Sequence, residues 1–161
     1  MDYMNQLGMK ILLPTFRDLL QTGLVDAGHV DRVYYGYRDM ASKTLRSDTT
    51  YAMIEDGGET DAPNKTGQTR FKRYMIVVEI GVKWTTSAES LQRLLDAWWE
   101  LEHLLFDPEN QHLPADGERQ ADIIRLFDVD SGYLFGTDNP AWRYRRCIAL
   151  YDELFCQRSW E

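Results

Sequence analysis

Apolar and polar side chains alternate most regularly between residues 70 and 85. Six bulky side chains would share one face of this segment: Tyr74, Ile76, Val78, Ile80, Val82 and Trp84. The other face mixes apolar residues with Arg73, Glu79 and Lys83. Alternation with a period of two predicts a strand that has one face in the core and the other partly in water.

Two segments show the spacing of amphipathic helices instead. The first lies between Leu12 and Leu24, and the second covers residues 87–106. Thr86 and Glu89 have the spacing of a capping box, which marks the start of the second helix. Its predicted apolar stripe consists of Leu91, Leu94, Leu95, Trp98, Leu101 and Leu105. A helix that follows a strand in this way is expected to fold back onto the sheet.

Shorter β-rich segments complete the pattern. Further strands are predicted at 30–37, 49–55, 123–129, 133–137 and 142–155. Residues 56–68 contain no large apolar side chain, which predicts a long exposed hairpin tip, and residues 130–132 predict a turn. The chain is therefore expected to form a single α+β domain over residues 1–161. We expect a mostly antiparallel sheet of about five strands, two main helices on one face and a long β-hairpin arm.

Composition narrows the possible functions. The 161-residue chain carries a net charge of −8, whereas proteins that hold nucleic acid by its phosphates need a positive surface. We expect no specific nucleic-acid binding. No apolar run approaches the ~18–20 residues that span a bilayer, so we expect no membrane association. The first residues lack the pattern of a secretory signal, which favours synthesis in the cytoplasm.

No residue pattern indicates a catalytic site, a metal site or a cofactor. Glu100 and His103 have the spacing of half a di-iron motif, but no second pair accompanies them, which favours a solvated helix face. Cys147 and Cys156 fall on one predicted strand, too far apart for a disulfide, so both are expected to be reduced.

Glu102 is unusual because it falls near the centre of the apolar stripe of the second helix. An unpaired carboxylate there would be costly. Two interpretations remain open: either the helix end lets Glu102 reach water or an arginine, or it pairs across a subunit boundary.

Charged residues form two groups that could match across an interface between copies. The acidic group is Glu55, Asp56, Glu59 and Asp61. The basic group is Arg70, Lys72, Arg73, Arg143, Arg145 and Arg146. Charge pairs of this kind set register and orientation more than affinity. The alternative is that these charges only keep the surface soluble.

The order of elements resembles that of bacteriophage tail terminator proteins, the gpU-like tail-completion family. The resemblance rests on the strand 49–55 running into the tip 56–69, on the run 70–82 leading into the helix 87–106, and on the final strand 142–155. These segments cover most of the chain. They form a pattern of elements and not a residue signature.

The resemblance implies a homo-oligomeric ring, a hexamer, that caps a finished tail tube and docks to the head connector or stopper protein. It implies location in the virion, in the tail or neck, and no catalytic residues or cofactor. DNA would pass through the ring, which the negative charge suits. Trp99, Tyr34 and Trp160 are candidate interface anchors.

Other classes remain as alternatives. One is another neck or head-tail connector protein, and another is a monomeric acidic phage-encoded module that inhibits a host protein. A third is a small enzyme, which would need a concave pocket that holds acidic residues with shifted pKa values.

Overall fold

A computed structural model of the chain describes residues 7–36, 49–63, 69–135 and 140–156. These residues form two α-helices: α1 is Met9–Leu20, continued by a π-helical turn at Gln21–Val25, and α2 is Ser87–Phe106. The strands are β1 Arg32–Tyr35, β2 Thr50–Pro63, β3 Thr69–Lys83, β4 His112–Leu113, β5 Ala121–Phe135 and β6 Pro140–Cys156.

The strands form one mixed sheet in the order β1-β2-β3-β6-β5-β4. β1 runs parallel to β2, and every other neighbouring pair is antiparallel. The predicted α+β class and the mostly antiparallel character of the sheet are confirmed. The described sheet has six strands, of which β4 contributes only two residues.

The main core lies between one face of the sheet and the two helices. β3 supplies Tyr74, Ile76, Val78, Ile80 and Val82, all fully buried, as the alternation of the sequence predicts. The helices supply the facing side chains, which include Leu12, Phe16, Leu20, Leu94, Trp98 and Leu101. Helical and strand periodicities thus bury their apolar positions against each other.

A second, smaller cluster lies on the opposite face of the sheet. It consists of Tyr34, Tyr51, Met53 and Trp142. The ring of Tyr51 meets those of Tyr34 and Trp142 edge to face, with centroids 6.1 and 5.3 Å apart. Edge-to-face pairs add about 0.5–1.5 kcal/mol beyond the area they bury. This part of the second face is therefore dry.

The predicted hairpin arm is not confirmed. β2 does not end at Glu55 but pairs with β3 as far as Pro63, with an irregularity between Asp56 and Glu59. β6 in turn pairs with β3 as far as its first residue, Thr69. Three strands therefore run together where a free two-stranded tip was expected, because backbone pairing needs no large apolar side chain. Residues 64–68 lie outside the described part of the chain.

The predicted turn at residues 130–132 is wrong. β5 is one continuous strand, and Asp130, Ser131 and Gly132 each pair with a residue of β6. Register shifts within β5 absorb the irregular residues while the long β6 strand continues beside them. The last residue of the predicted strand 30–37 and residues 136–137 of the predicted strand 133–137 fall outside the described residues.

Two glycines provide a test of this packing, since Gly81 and Gly132 are the partners of Tyr144 on either side. A Cβ atom on Gly81 would lie 2.2 Å from the buried ring of Tyr51. Gly81→Ala should therefore lower the free energy of unfolding by about 1–3 kcal/mol in urea denaturation.

The matched control is Gly132→Ala, where the new Cβ would lie 3.5 Å from the hydroxyl of Tyr144, an ordinary contact. We expect this variant to stay within about 0.5 kcal/mol of the native protein. Equal losses for the two variants would contradict the packing of Tyr51 against Gly81.

Candidate interaction surface

The three arginines predicted as one basic group are divided by the alternation of β6. Arg143 and Arg145 lie on the helix-covered face of the sheet, and Arg146 lies on the other. Arg143 donates a hydrogen bond to the backbone carbonyl of Ser87, at 2.9 Å, close to the start of α2. The triplet therefore does not form one exposed basic patch.

Arg145 is held by a carboxylate and an aromatic ring. Its guanidinium donates two hydrogen bonds to Asp128, at 2.8 and 2.9 Å, and lies 3.8 Å from the ring centroid of Trp98. These hydrogen bonds lower the pKa of Asp128 and raise that of Arg145. The negative charge of the exposed Glu102 also raises the pKa of Arg145. The side chain of Glu102 is exposed and reaches water in the single copy, which leaves a pairing across a subunit boundary open.

Arg146 pairs with a buried carboxylate on the opposite face. Glu79 is 1% exposed and accepts hydrogen bonds from Arg146, at 2.7 Å, and from the hydroxyl of Tyr51, also at 2.7 Å. Asp130 lies 3.3 Å from the same guanidinium. The second face of β3 is partly wet, as expected, at Arg73 and Lys83, but Glu79 on the same face is buried. Removing one partner of a buried pair leaves the other charge uncompensated, which is strongly destabilising.

The hairpin charges also pair within the chain. The ammonium of Lys72 lies 3.6 Å from Glu59 and 3.3 Å from Asp61, on the neighbouring strand. Arg73 donates two hydrogen bonds to Asp152, at 2.8 and 2.9 Å. Acidic and basic residues that were predicted to match between copies therefore contact each other inside one copy.

The other charged residues predicted to match between copies contribute little to an exposed charged patch. Asp56 accepts a hydrogen bond from the backbone of Gly58, at 2.8 Å. Glu55 is half-buried on β2. The side chain of Arg70 lies outside the described part of the structure. The matching of charges between copies remains a prediction, and reversing the arginines of β6 would disturb the fold before any interface.

An apolar groove that the sequence did not predict lies beside these charges. Leu91 and Leu95, predicted in the core stripe of α2, are 41% and 44% exposed. With Tyr133 of β5 they line a cavity of about 490 Å³ between α2 and β5. α2 buries its Leu94–Leu101–Leu105 side against β3 and β6, which leaves the neighbouring side open.

The groove continues toward the end of α2. A second hollow of about 120 Å³ is lined by Trp98, Glu102, Phe106, Leu126, Asp128 and Arg145. We define the α2/β5 groove as Leu91, Leu95, Glu102, Phe106, Asp128 and Tyr133. Apolar side chains stand at both of its ends, and the paired charges of Asp128 and Arg145 lie between them.

β5 extends this surface along the edge of the sheet. In the described part of the chain, β4 pairs with β5 only at Ala121 and Asp122. Ile124 and Val129 fall at the register shifts between β5 and β6, and each is 51% exposed. Irregularities at an edge interrupt regular strand addition, so this edge presents side chains more than backbone groups.

A polar pocket of about 420 Å³ lies on the other side of α2. His29 Nε2 lies 3.3 Å from a carboxylate oxygen of Glu100, and Arg93 and Asp96 line the same pocket. The ring of His103 instead stacks on Trp99, with centroids 3.6 Å apart. Glu100 and His103 therefore serve different contacts. In the described part of the chain, no group of three or more His, Cys, Asp or Glu residues is placed to hold a metal ion.

The aromatic residues predicted as anchors have different environments. Trp99 is 55% exposed, whereas Tyr34 is fully buried and unavailable to a partner in this fold. Trp160 lies outside the described residues. Cys147 and Cys156 both belong to β6, as predicted, and Cys147 is a buried free thiol whose pKa is raised by burial.

Comparisons with known proteins add no assignment: no family model matches the chain, and no curated protein matches it. None of the described helices is both long and apolar enough to cross a membrane. The class defined by the structure is an α+β domain with a mixed six-stranded sheet, and its function rests on the surfaces described above.

Arg145 tests the internal role of the basic residues. Arg145→Ala should lower the free energy of unfolding by about 1–3 kcal/mol, because it removes charge-assisted hydrogen bonds and the contact with Trp98. Arg145→Lys keeps the charge but loses the planar fork, and should recover only part of this loss. Urea denaturation measures both. If Arg145→Ala were as stable as the native protein, Arg145 would be available to a partner instead.

Proposed function

We propose that this protein is a structural component of a phage tail: a tail terminator whose copies form a ring, a hexamer, on the end of the tail tube. Two things support the proposal. The order of elements resembles that of the gpU-like family, and the described surface carries an apolar side suited to contact with protein. No enzymatic role is part of the proposal.

The distribution of exposed apolar side chains carries the argument. Seven of the large apolar residues that are exposed in the described part of the chain belong to α2 and β5: Leu91, Leu95, Trp99, Phe106, Ile124, Val129 and Tyr133. Leu91 and Leu95 share one side of α2, one helical turn apart, and Tyr133 lines the same cavity. Contiguous exposed apolar surface marks sites of protein association. A copy of the same chain is the partner that the ring requires.

The proposed ring would also have two open faces, above and below, that contact other proteins. In this proposal one surface meets the tail tube protein and the other meets the head connector or stopper protein. The end of the β2–β3 hairpin, where Glu59, Asp61 and Lys72 lie, is the part proposed to reach a neighbour. A net charge of −8 would let DNA pass without binding. The protein would be made in the host cytoplasm and reside in the virion.

Other functions predict different behaviour. A neck or head-tail connector protein would also form a ring but would not bind the ends of tail tubes. An acidic module that inhibits a host protein would be a monomer. The pocket that contains His29 and Glu100 favours a small acid–base enzyme as a further candidate, because the two side chains are in contact within a cavity.

Light scattering after size exclusion, together with negative-stain microscopy, tests the proposal. We expect a mass near six times 18.8 kDa, a ring with a central opening, and rings bound at the ends of purified tail tubes. Rings that ignore the tubes would favour a connector protein. A particle of one chain at high concentration would contradict assembly and favour the monomeric inhibitor module or an enzyme that uses the His29–Glu100 pocket.

A further inference from the structure

We propose that the α2/β5 groove of one copy receives the α1/β1 edge of the next copy. We define the α1/β1 edge as Lys10, Arg17, Arg32 and Tyr35. This inference rests on the proposed ring and identifies its two contact surfaces.

The positions of the two surfaces suit a ring. β1 is one end of the sheet, and the long exposed edge of β5 lies near the other end. A ring built from identical copies needs heterologous contacts, in which one surface of a subunit meets a different surface of its neighbour. Because β1 and β5 lie toward opposite ends of the sheet, one copy can contact a different neighbour through each of them at the same time. The groove and the edge meet that requirement.

The edge carries an aromatic side chain that could occupy the groove. Tyr35 is 39% exposed, and the guanidinium of Arg17 lies 5.1 Å from the centre of its ring. The groove offers Leu91, Leu95 and Tyr133 around its larger cavity. Tyrosine and arginine are the residue types that most often anchor protein interfaces. The contact would bury apolar side chains that are exposed in the single copy.

The charges of the two surfaces are opposite in sign. In the groove, Glu102 is exposed and the side chain of Asp128 is 59% exposed, whereas that of Arg145 is 27% exposed. Carboxylates therefore form the outer rim. The edge presents Lys10, Arg17 and Arg32, with the exposed carboxylates of Asp18 and Asp31 beside them, so its net charge is positive. Asp130 and Arg143 also line the groove, whose net charge remains negative.

Arg17 is available for such a contact. The Arg17 side chain is 43% exposed and lies 3.4 Å from the neighbouring Asp18, which is 72% exposed. An exposed pair of this kind contributes little to stability, so Arg17 can exchange it for a carboxylate of the next copy. Complementary charge would then fix the orientation of the edge in the groove.

A charge exchange tests the contact. Glu102→Arg gives copies with a positive charge at both position 102 and position 17, and Arg17→Glu gives copies with a negative charge at both. Each variant alone should assemble on the order of tenfold more weakly than the native protein, because like charges meet at every contact. In an equimolar mixture, alternating copies place opposite charges at every contact, so rings should return. Sedimentation velocity measures the three samples.

The matched control is Asp96→Arg, which makes the same charge change on the exposed side of α2 away from the groove. It should assemble like the native protein. If Glu102→Arg fails to fold, Leu95→Arg places a positive charge at another exposed groove position and is mixed with Arg17→Glu in the same way.

Two results would overturn the inference while native rings persist: single variants that assemble normally, or a mixture that stays dissociated. A native protein that is itself a single chain would instead overturn the proposed ring.

Discussion

The strand β3 is the constraint on which the rest of the structure depends. It pairs with β2 on one side and with β6 on the other, so its backbone is fixed over almost its whole length. The alternation of its side chains then assigns every neighbour to a face. Every second residue from Tyr74 to Val82 packs under α1 and α2. Glu79 and Gly81, on the opposite face, contact the aromatic cluster of Tyr51. The groove exists because α2 is centred on this platform and leaves one flank beside β5.

Regular local patterns could be predicted from the sequence. The faces of β3 and the start of α2 are confirmed, and the hydroxyl of Thr86 accepts a hydrogen bond from the backbone of Glu89 at 3.2 Å. These features depend on residues close together in the chain. The extension of β2, the continuity of β5 and the partner of Glu79 depend on pairing with distant strands. No pattern within a short segment predicts which residues of distant strands pair. The exposure of Leu91 and Leu95 likewise depends on where α2 lies on the sheet.

The sequence indicated that charged residues form an interface and that the apolar stripe of α2 is buried, and the structure differs on both points. Arg145, Arg146 and Lys72 contact carboxylates of their own chain, where they connect strands and hold Trp98 and Tyr51 in place. Leu91 and Leu95, which the sequence assigned to the core, lie at the surface instead. Association of this protein would therefore draw its affinity from apolar side chains beside β5, while the exposed charges around them select the orientation.

Hydrogen–deuterium exchange tests the proposed contact between copies most directly. The measurement compares the protein at concentrations above and below its assembly, peptide by peptide. The account predicts slower exchange on assembly in the edge of β5, over residues 124–133, and in β1, with little change in β3, whose amides are already paired. Unchanged exchange in both edges, with protection elsewhere or nowhere, would contradict it.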